Sequence, residues 1–464
     1  MFVRYVGTTR SCDDPSYLLA VSRQSSRIVL DPSSRARNIT IEFSLDGDAV
    51  HLPLPAAVRD FLDLAACIYV ADELVSRASA PDHWTRELDF LVPVRDPAVW
   101  EACRARLEAT LSILSGDAFA FRWVPRTSIV ASVRHRRRLP NDFDAVCLFS
   151  GGIDSFLGAN ALLKEGRRVL LVGHQADTTT AALQARLAGA LKKRFGKRVS
   201  FLQCRVAQSL SPNVRHPLPE KVENSHRPRS FLFLALAVAA AAIRDVELIA
   251  IPENGLIGLN VPLQRSRFGT LSTRTAYPGF LLGFRETVRS LGLYAGALRN
   301  PFLAQSKTDL LATLDPALRT EVVQTVSCAK TGRVRWSGKK GIHHCGFCVP
   351  CIYRRVAMAS AGLDSSSHYE DDVFRKLQTL APTRQADLRA LVQFAKRVVS
   401  LTDAERLLSV TSHGYFPPEE LTSLGDGSVT SFSPLAAMTL RWSSQFLSLL
   451  RSACAARTRR LLAI

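Results

Sequence analysis

The sequence lacks any apolar run long enough to cross a membrane. Its longest uninterrupted apolar stretch, Phe231 to Ile243, has 13 residues, whereas a transmembrane helix needs roughly 18 or more. The first residues, MFVRYVGTTRSCDD, also lack the apolar segment of a secretory signal peptide. We therefore expect a cytoplasmic protein without a membrane partner, and we interpret residues 231–243 as a helix buried in a protein core.

Acidic residues are few: 41 Asp and Glu stand against 60 Lys and Arg, which gives a formal net charge of +19. This excess favours anionic partners such as nucleotides, nucleic acid or an acidic protein surface, without choosing among them. The basic run RHRRR at 134–138 could contact nucleic acid, but a solvated linker is the favoured interpretation. With 47% hydrophobic residues, the chain can build a sizeable core, which excludes global disorder.

Internal repeats and low-complexity tracts are also absent, and the pattern of apolar residues divides the chain into three regions. Residues 1–140 have an α+β pattern, with alternation typical of a strand at 37–45 and helical spacing at 56–78. Residues 141–362 alternate short strands with helices, which predicts a doubly wound parallel sheet of the α/β class. Residues 363–464 are predicted to be mostly helical.

A small-residue turn follows the first strand of the α/β region. It has the sequence SGGIDS and consists of Ser150, Gly151, Gly152, Ile153, Asp154 and Ser155. The glycines let the backbone approach an anion closely, and the N–H groups that begin the next helix point at the same place. Ser150 and Ser155 can donate hydrogen bonds, while Asp154 can cap the turn or help to hold a metal ion. Because no G-x-x-x-x-G-K-[ST] is present, the turn is not a Walker A loop.

Four of the ten cysteines are grouped. Cys345, Cys348 and Cys351 form a C-x2-C-x2-C pattern, and Cys328 lies 17 positions before the first of them. Four thiolates fit a tetrahedral zinc site, and a closed all-cysteine site is usually structural. The sequence thus predicts bound Zn2+, with an iron–sulfur cluster as the alternative. One of the two histidines before Cys345, His343 or His344, could replace a cysteine ligand.

The SGGxDS turn resembles the PP-loop of the ATP pyrophosphatases. Together with the pattern CGFCVPC at 345–351, it resembles the QueC family, the 7-cyano-7-deazaguanine synthases of queuosine biosynthesis. Weaker matches are Gln175 after the second strand, Arg229 at the start of the apolar helix and Lys307 in NPFLAQSKTDLL. The resemblance covers about residues 142–362 and implies an adenine nucleotide alpha hydrolase-like PP-loop domain.

The resemblance implies that ATP, with Mg2+, activates the carboxylate of 7-carboxy-7-deazaguanine as an adenylate, so that the chain is a C–N bond-forming ligase or synthase. It makes Asp154, Arg229 and Lys307 the candidate catalytic residues. It assigns nucleotide binding to Ser150, Gly151, Gly152, Asp154, Ser155 and Gln175. The segment 253–280 departs from the expected base-binding stretch, and its polar residues include three candidate substrate contacts: Asn254, Arg274 and Thr275.

The chain adds about 140 residues before the resembling segment and about 100 after it. This layout resembles the longer QueC-like proteins of bacterial anti-phage defence loci, such as QatC-type proteins. That resemblance implies transfer of the acyl group to an amine of a partner protein from the same locus instead of to ammonia. Ordinary synthesis of 7-cyano-7-deazaguanine and modification of tRNA stay open as alternatives. If the flanking regions only dock a partner, removal of residues 1–130 should leave base-dependent ATP consumption intact.

Overall fold

The structure is a computed structural model. It describes residues 2–3, 17–21, 26–30, 32, 39–80, 82–126, 142–208, 223, 225–261, 263, 274–336, 344–412 and 418–464. The chain forms two compact units. The first comprises residues 1–150, 162–251 and 271–299, and the second comprises residues 151–161, 252–270 and 300–464. No helix in the described ranges is long and apolar enough to span a membrane.

The strands and helices are numbered in chain order. The strands are β1 (Phe2–Val3), β2 (Tyr17–Val21), β3 (Ser26–Leu30), β4 (Ile39–Leu45), β5 (Asp48–Val50), β6 (Glu87–Val94), β7 (Ala118–Pro125), β8 (Ala145–Leu148), β9 (Val169–His174), β10 (Val199–Gln208), β11 (Leu248–Ala250) and β12 (Ala297–Arg299). The helices are α1 (Ala56–Leu74), α2 (Pro97–Ser115), α3 (Ile153–Lys164), α4 (Thr178–Phe195), α5 (Arg229–Ala242), α6 (Gly255–Leu259), α7 (Pro278–Ser290), α8 (Lys307–Ala312), α9 (Arg319–Gln324), α10 (Thr331–Trp336), α11 (Val349–Ser360), α12 (Pro382–Ser400), α13 (Asp403–Thr411), α14 (Pro418–Leu424), α15 (Ser433–Ala453) and α16 (Ala456–Leu462).

Seven strands of the first unit form its larger sheet, in the order β12-β11-β8-β9-β10-β4-β5. The strands from β12 to β10 are parallel to their neighbours. β9 is buried along its whole length, as expected of a strand in a parallel sheet covered on both faces. The structure confirms the predicted α/β fold, and the residues predicted as a buried helix form the interior of α5.

The smaller sheet of the first unit lies wholly in the amino-terminal region. Its strands run in the order β1-β6-β2-β3, and β7 pairs with β6. Helix α2 begins at a side-chain cap, since Asp96 accepts a hydrogen bond from the Val99 N–H, and it ends at Gly116 in the left-handed conformation. The aromatic rings of Phe90, Phe119 and Phe121 stack on one another along β6 and β7.

The strand predicted at 37–45 is present as β4, but its partner lies outside the amino-terminal region. β4 pairs antiparallel with β10 and extends the larger sheet. Helix α1 in turn packs against α5, where the ring centroids of Phe61 and Phe231 are 5.3 Å apart. Removal of residues 1–130 would therefore take away part of the larger sheet and the helix that covers α5, and its effect on base-dependent ATP consumption stays a prediction.

The second unit is mainly helical and includes the beginning of α3. The helical prediction for residues 363–464 is confirmed over their described part, which contains α12 to α16. These helices pack on the residues before them: α12 and α15 contact α11, and α15 also contacts α6. The rings of Tyr353 on α11 and Trp442 on α15 meet edge to face, with centroids 4.9 Å apart. The carboxy-terminal helices thus share a core with the cysteine-rich segment.

Candidate functional site

The predicted phosphate loop forms a turn at the start of α3 in the second unit. Gly151 has a φ of +84°, a left-handed conformation that a residue with a Cβ rarely adopts. The carbonyl oxygen of Gly152 accepts hydrogen bonds from the Ser155 hydroxyl and from the Phe156 N–H, each at 3.1 Å. Ser150, which precedes this turn at the end of the first unit's chain segment, is exposed. The N–H groups that begin a helix have no partner within the helix, so the first turn of α3 is a place where an anion can bind.

Asp154 is the centre of a buried polar cluster. Its Oδ2 accepts hydrogen bonds from Lys307 Nζ at 2.5 Å and from Asn254 Nδ2 at 2.7 Å. Asp154 and Lys307 are only 4% and 5% exposed, so Lys307 is not a surface charge. Burial opposes ionisation of Asp154, but the charge and hydrogen bond of Lys307 outweigh it and hold the pKa of Asp154 below its ordinary value.

The local sequence places Lys307 at the first position of α8. Ser306 caps this helix: its hydroxyl accepts from the Asp309 N–H, and the Asp309 carboxylate accepts from the Ser306 N–H. Such a reciprocal capping box fixes the direction in which a helix begins. Asn254 caps α6 in a similar way through its Oδ1, which accepts from the Ile257 N–H. Both partners of Asp154 are thus held at helix starts.

Glu253, which the sequence analysis did not single out, lies beside Asp154. Burial and the neighbouring Asp154 charge raise the pKa of Glu253 well above its ordinary value. Among the described residues, Oδ1 of Asp154 is buried without a hydrogen-bond donor. Two carboxyl groups in this arrangement need a shared proton or a cation between them. The sequence signal that could have indicated Glu253 is the polar pair Glu253 and Asn254, which lies three residues after the end of the parallel strand β11.

The predicted substrate contacts are divided between the two units, with Asn254 in the second and Arg274 and Thr275 in the first. Asn254 is fully buried and both ends of its side chain are engaged, so its place favours positioning of Asp154 over direct contact with a substrate. In the first unit, Thr275 and Ser230 share a hydrogen bond between their hydroxyls. Arg274 donates through Nη1 to the carbonyl oxygen of Ile113 on α2, at 2.8 Å.

Gln175 and Arg229 lie in the first unit. Gln175 directly follows β9, and its N–H donates to the carbonyl oxygen of Cys204 at 2.7 Å. Arg229 begins α5, and its guanidinium carbon lies 5.5 Å from the ring centroid of Phe233. Arg229 is exposed, and Tyr69, Asp72 and Glu73 lie within electrostatic reach of its guanidinium group.

The four predicted cysteines of the second unit form one cluster. The sulfur atoms of Cys328, Cys345, Cys348 and Cys351 all lie within 4.8 Å of one another, and three of these residues are buried. Cys345 and Cys351 have sulfur atoms 3.9 Å apart, close to the separation of about 3.8 Å that four Zn–S bonds of about 2.3 Å would give in a tetrahedron. Hydrogen bonds from the other three thiols lower the pKa of Cys328 far below its ordinary value. The cluster therefore has the ligand set and spacing of a metal site.

Among the described residues, His344 is not part of the group formed by the four cysteines. His344 is buried, and its Nε2 accepts a long hydrogen bond, 3.4 Å, from the Ser327 N–H. His343 lies outside the described residues, as does the basic run at 134–138. The four cysteines provide four sulfur ligands without either histidine.

The residues before Cys328 connect the cluster to the loop. The Val326 N–H donates to the carbonyl oxygen of Gly151 at 3.0 Å, and Ser327 Oγ lies 3.5 Å from the Ile153 nitrogen. Cys328 itself accepts through its sulfur from the Cys345 N–H at 3.3 Å. Residues 326–328, which have no regular secondary structure, thus join the phosphate loop to the first cysteine.

Comparisons with known proteins agree with this arrangement. The family model described as "Queuosine biosynthesis protein QueC" matches residues 144–362. The 7-cyano-7-deazaguanine synthase of Rhizobium rhizogenes is 26% identical over 247 residues, which cover 49% of this chain and 93% of that protein. The synthase of Chelativorans sp. is 30% identical over 148 residues, covering 32% of this chain and 54% of that protein. Residues 144–362 are therefore similar to QueC proteins, and we call this segment the QueC-like domain.

Proposed function

We propose that this chain uses ATP to activate the carboxylate of a 7-carboxy-7-deazaguanine-like compound as an adenylate, and that an amine then attacks the adenylate to form an amide. In the activation step, the carboxylate oxygen attacks the α-phosphorus of ATP and pyrophosphate leaves. In the second step, the amine nitrogen bonds to the acyl carbon and AMP leaves. In the simplest case the amine is ammonia, and a second activation with loss of water would convert the amide into a nitrile.

The buried pair Lys307–Asp154 at the start of α3 carries this proposal. A lysine held at 2.5 Å from the aspartate of an SGGxDS turn is a fixed cation next to the N–H groups that can bind a pyrophosphate. Fixed donors and charges that face the developing charge of a leaving group need no reorganisation during the reaction. The left-handed Gly151 keeps the turn open to the anion, because a Cβ at this φ would be strained.

Two metal sites fit the residues present. Asp154 and Glu253 are placed to hold Mg2+, since Oδ1 of Asp154 has no donor among the described residues and oxygen ligands suit this ion. Bound there, Mg2+ would neutralise charge on the phosphates of ATP. The four cysteines are placed to hold Zn2+ in a closed structural site.

The acceptor amine is proposed to belong to a partner protein, as in an anti-phage defence role. The support is the extent of the chain outside residues 144–362: the amino-terminal region builds part of the larger sheet, and the carboxy-terminal helices pack on α11. A bound protein amine attacks within the complex, which replaces a bimolecular step and can lower the barrier by up to roughly 7–11 kcal/mol in favourable geometry.

Pyrophosphate release from ATP, measured with and without the carboxylated base, tests the activation step. The wild type should release pyrophosphate only with the base. Ser150→Ala should reduce this release with little change in stability, because Ser150 is exposed. Lys307→Met should abolish it and also destabilise the protein, because Asp154 would be left as an unpaired buried charge. Base-independent release, or unchanged release by both variants, would contradict the proposal.

Mass spectrometry of the products then separates the acceptors. An adduct on a co-purified protein supports protein modification, and free amide or nitrile indicates the metabolic synthase. Consumption of ATP that depends on tRNA and not on the base would indicate the tRNA-modifying alternative.

A further inference from the structure

Two helices outside the QueC-like domain contact the residues that surround Asp154 in the second unit. These helices, α14 and α15, follow residue 362, where the match to the QueC family model ends. Three of their residues reach the segments that contain Glu253, Asn254 and Lys307: Leu424 on α14, and Met438 and Arg441 on α15. We call these three residues the carboxy-terminal support. The proposed function above uses none of them.

Arg441 binds the cap that directs Lys307. The Asp309 carboxylate accepts hydrogen bonds from the N–H and the hydroxyl of Ser306, at 2.9 and 3.0 Å, and Arg441 Nη2 donates to the same carboxylate oxygen at 3.3 Å. Lys307 is the first residue after this cap, so a rotation of the Asp309 carboxylate changes the direction in which α8 begins. A small shift at Arg441 therefore moves Lys307 Nζ relative to Asp154.

Met438 packs against the start of α6. Met438 is fully buried, and a Cβ at Gly255 would lie 2.7 Å from its sulfur atom and 2.1 Å from the carbonyl oxygen of Leu303. The Gly255 backbone is thus enclosed by both groups. Gly255 follows Asn254, whose N–H and Nδ2 both donate to Asp154 Oδ2. Met438 therefore limits the movement of the residue that orients Asp154.

Leu424 holds the backbone of Glu253 through Asn300. The Leu424 carbonyl oxygen accepts a hydrogen bond from the Asn300 N–H at 2.6 Å. Asn300 Oδ1 in turn accepts from the Glu253 N–H at 3.3 Å and from the Phe302 N–H at 3.0 Å. Asn300 and Leu424 are both fully buried, so water does not compete for these hydrogen bonds.

We propose that Met438 and Arg441 are positioning residues for the release of pyrophosphate, and that the carboxy-terminal support fixes the geometry of Asp154, Asn254 and Lys307. The inference rests on the proposed function for the reaction itself. Each member of the support acts through a residue that lies between it and the site: Asp309, Gly255 or Asn300. Charges stabilise a leaving group best when they need not move during the reaction, and α14 and α15 supply that rigidity.

Arg441→Ala in the full chain separates positioning from stability. The Arg441 side chain is 49% exposed, and an ion pair at such a position adds little to stability, so the urea midpoint should stay close to that of wild type. The kcat of base-dependent pyrophosphate release should nevertheless fall about tenfold, with the KM for ATP within about twofold of wild type, because Lys307 faces charge that develops in the transition state. Arg441→Lys keeps the charge and should recover part of the loss. The control is Arg451→Ala, which removes an exposed arginine further along α15.

Met438→Ala tests the contact with α6. It should destabilise the protein to a similar extent as its control, Leu450→Ala, which removes a fully buried side chain about 18 Å further along α15. At a temperature at which both variants are folded, only Met438→Ala should lower kcat, by about tenfold or more. Met438→Leu conserves the side-chain volume and should restore kcat.

Amide hydrogen exchange gives a measurement that does not depend on turnover. The N–H groups of residues 306–309 should exchange faster in Arg441→Ala than in Arg451→Ala, because the capping box of α8 is loosened. Those of residues 255–259 should exchange faster in Met438→Ala than in Leu450→Ala.

A kcat within about twofold of wild type in Arg441→Ala and Met438→Ala would overturn the inference, as would equal losses of kcat in each variant and its control. Wild-type protein that releases no pyrophosphate with the base would contradict the proposed function instead. Hydrogen exchange would then decide the inference: faster exchange in the two variants than in their controls would keep the carboxy-terminal support, and equal exchange would overturn it.

Discussion

The buried environment of His174 could not be predicted from any sequence motif. In the sequence it is one of ten histidines, next to Gln175, and only Gln175 was predicted to contact a ligand. The structure buries the histidine between rings contributed by helices far apart in the sequence. Such an environment depends on which helices cover β9, and a local pattern does not contain that information.

The protonation of His174 predicts a pH dependence of stability. A histidine in the unfolded chain has a pKa of about 6.5, whereas that of folded His174 is lowered to about 4. Between these values the unfolded state binds more protons, so stability decreases as the pH falls through this window. We expect His174 to account for a loss of about 2 kcal/mol between pH 7.5 and pH 5, measured by urea unfolding of the first unit.

His174→Phe is the matched variant for this measurement, because it cannot be protonated. Its stability should decrease about 2 kcal/mol less than that of wild type over the same interval. His83→Phe, at an exposed position, serves as the control and should retain the wild-type dependence. Equal slopes for wild type and His174→Phe would show that the buried imidazole is protonated without cost.

Asp154 and Lys307 were predicted as candidate catalytic residues from the sequence. Asp154 belongs to the SGGxDS turn, and Lys307 lies in a segment that resembles one of the QueC family. Glu253 was not predicted, because a lone acidic residue after a strand has no distinctive pattern. Its position depends on where β11 ends. β11 ends at Ala250, and Pro252, two residues later, has no N–H for a ladder hydrogen bond. Gly158 permits this course, since a Cβ there would lie 2.2 Å from the Pro252 Cβ.

At the scale of elements, the cysteine pattern predicted the metal ligands but not what they support. The spacing of Cys345, Cys348 and Cys351 is local, and the structure gathers all four cysteines as expected. Val326 donates a hydrogen bond to Gly151 and Ser327 accepts one from Ile153, so these bonds connect segments at least 174 residues apart. No sequence periodicity encodes such a contact, so the dependence of the loop on the cluster follows only from the fold.

That dependence gives a prediction for metal removal. Purified protein should contain about one zinc per chain, and Cys348→Ser should lose it. Cys328 would then no longer be held by the metal. The segment 326–328 should therefore lose its hydrogen bonds with Gly151 and Ile153. Amide hydrogen exchange in the first turn of α3 should become faster, and affinity for ATP should fall about tenfold.

Cys454→Ser is the control, since Cys454 is a buried cysteine of the second unit outside the cluster. It should retain zinc and slow exchange at α3. Iron with sulfide in the purified protein would contradict the zinc assignment, and unchanged exchange at α3 after metal loss would contradict the coupling.

At the scale of the whole molecule, the amino-terminal region is part of the scaffold of the first unit. The alternation of apolar residues at 37–45 predicted a strand, but such a pattern does not predict which strand it pairs with. In the structure, β4 pairs with β10, which lies more than 150 residues later in the sequence. Buried ion pairs and a hydrogen bond also link the amino-terminal region to the residues before α5. Arg86 binds Asp72 and Asp117, and the Arg77 N–H donates to Glu223, which lies shortly before α5. The start of α5, and with it Arg229, is thus held by residues of the amino-terminal region.

The dependence of α5 on the amino-terminal region can be tested without a deletion, by changing the packing of α1 on α5. Phe61 is fully buried, and its ring meets Trp100, Phe231 and Phe284. Phe61→Ala should cost about 3–5 kcal/mol by leaving a cavity. Phe119→Ala should destabilise the same unit, but the Phe119 ring contacts Phe90 and Phe121 in the smaller sheet. Only Phe61 packs against α5, which carries Arg229 and Phe233.

Both variants are compared at a temperature at which they remain folded. Base-dependent pyrophosphate release should fall in Phe61→Ala and stay near the wild-type value in Phe119→Ala, because only the first change loosens the wall between α1 and α5. A chain lacking residues 1–130 should fail to fold, since it leaves β10 without β4 and α5 without α1. A soluble truncated chain with full base-dependent release would show instead that the amino-terminal region is a separable docking module, and that the QueC-like domain needs no support from it.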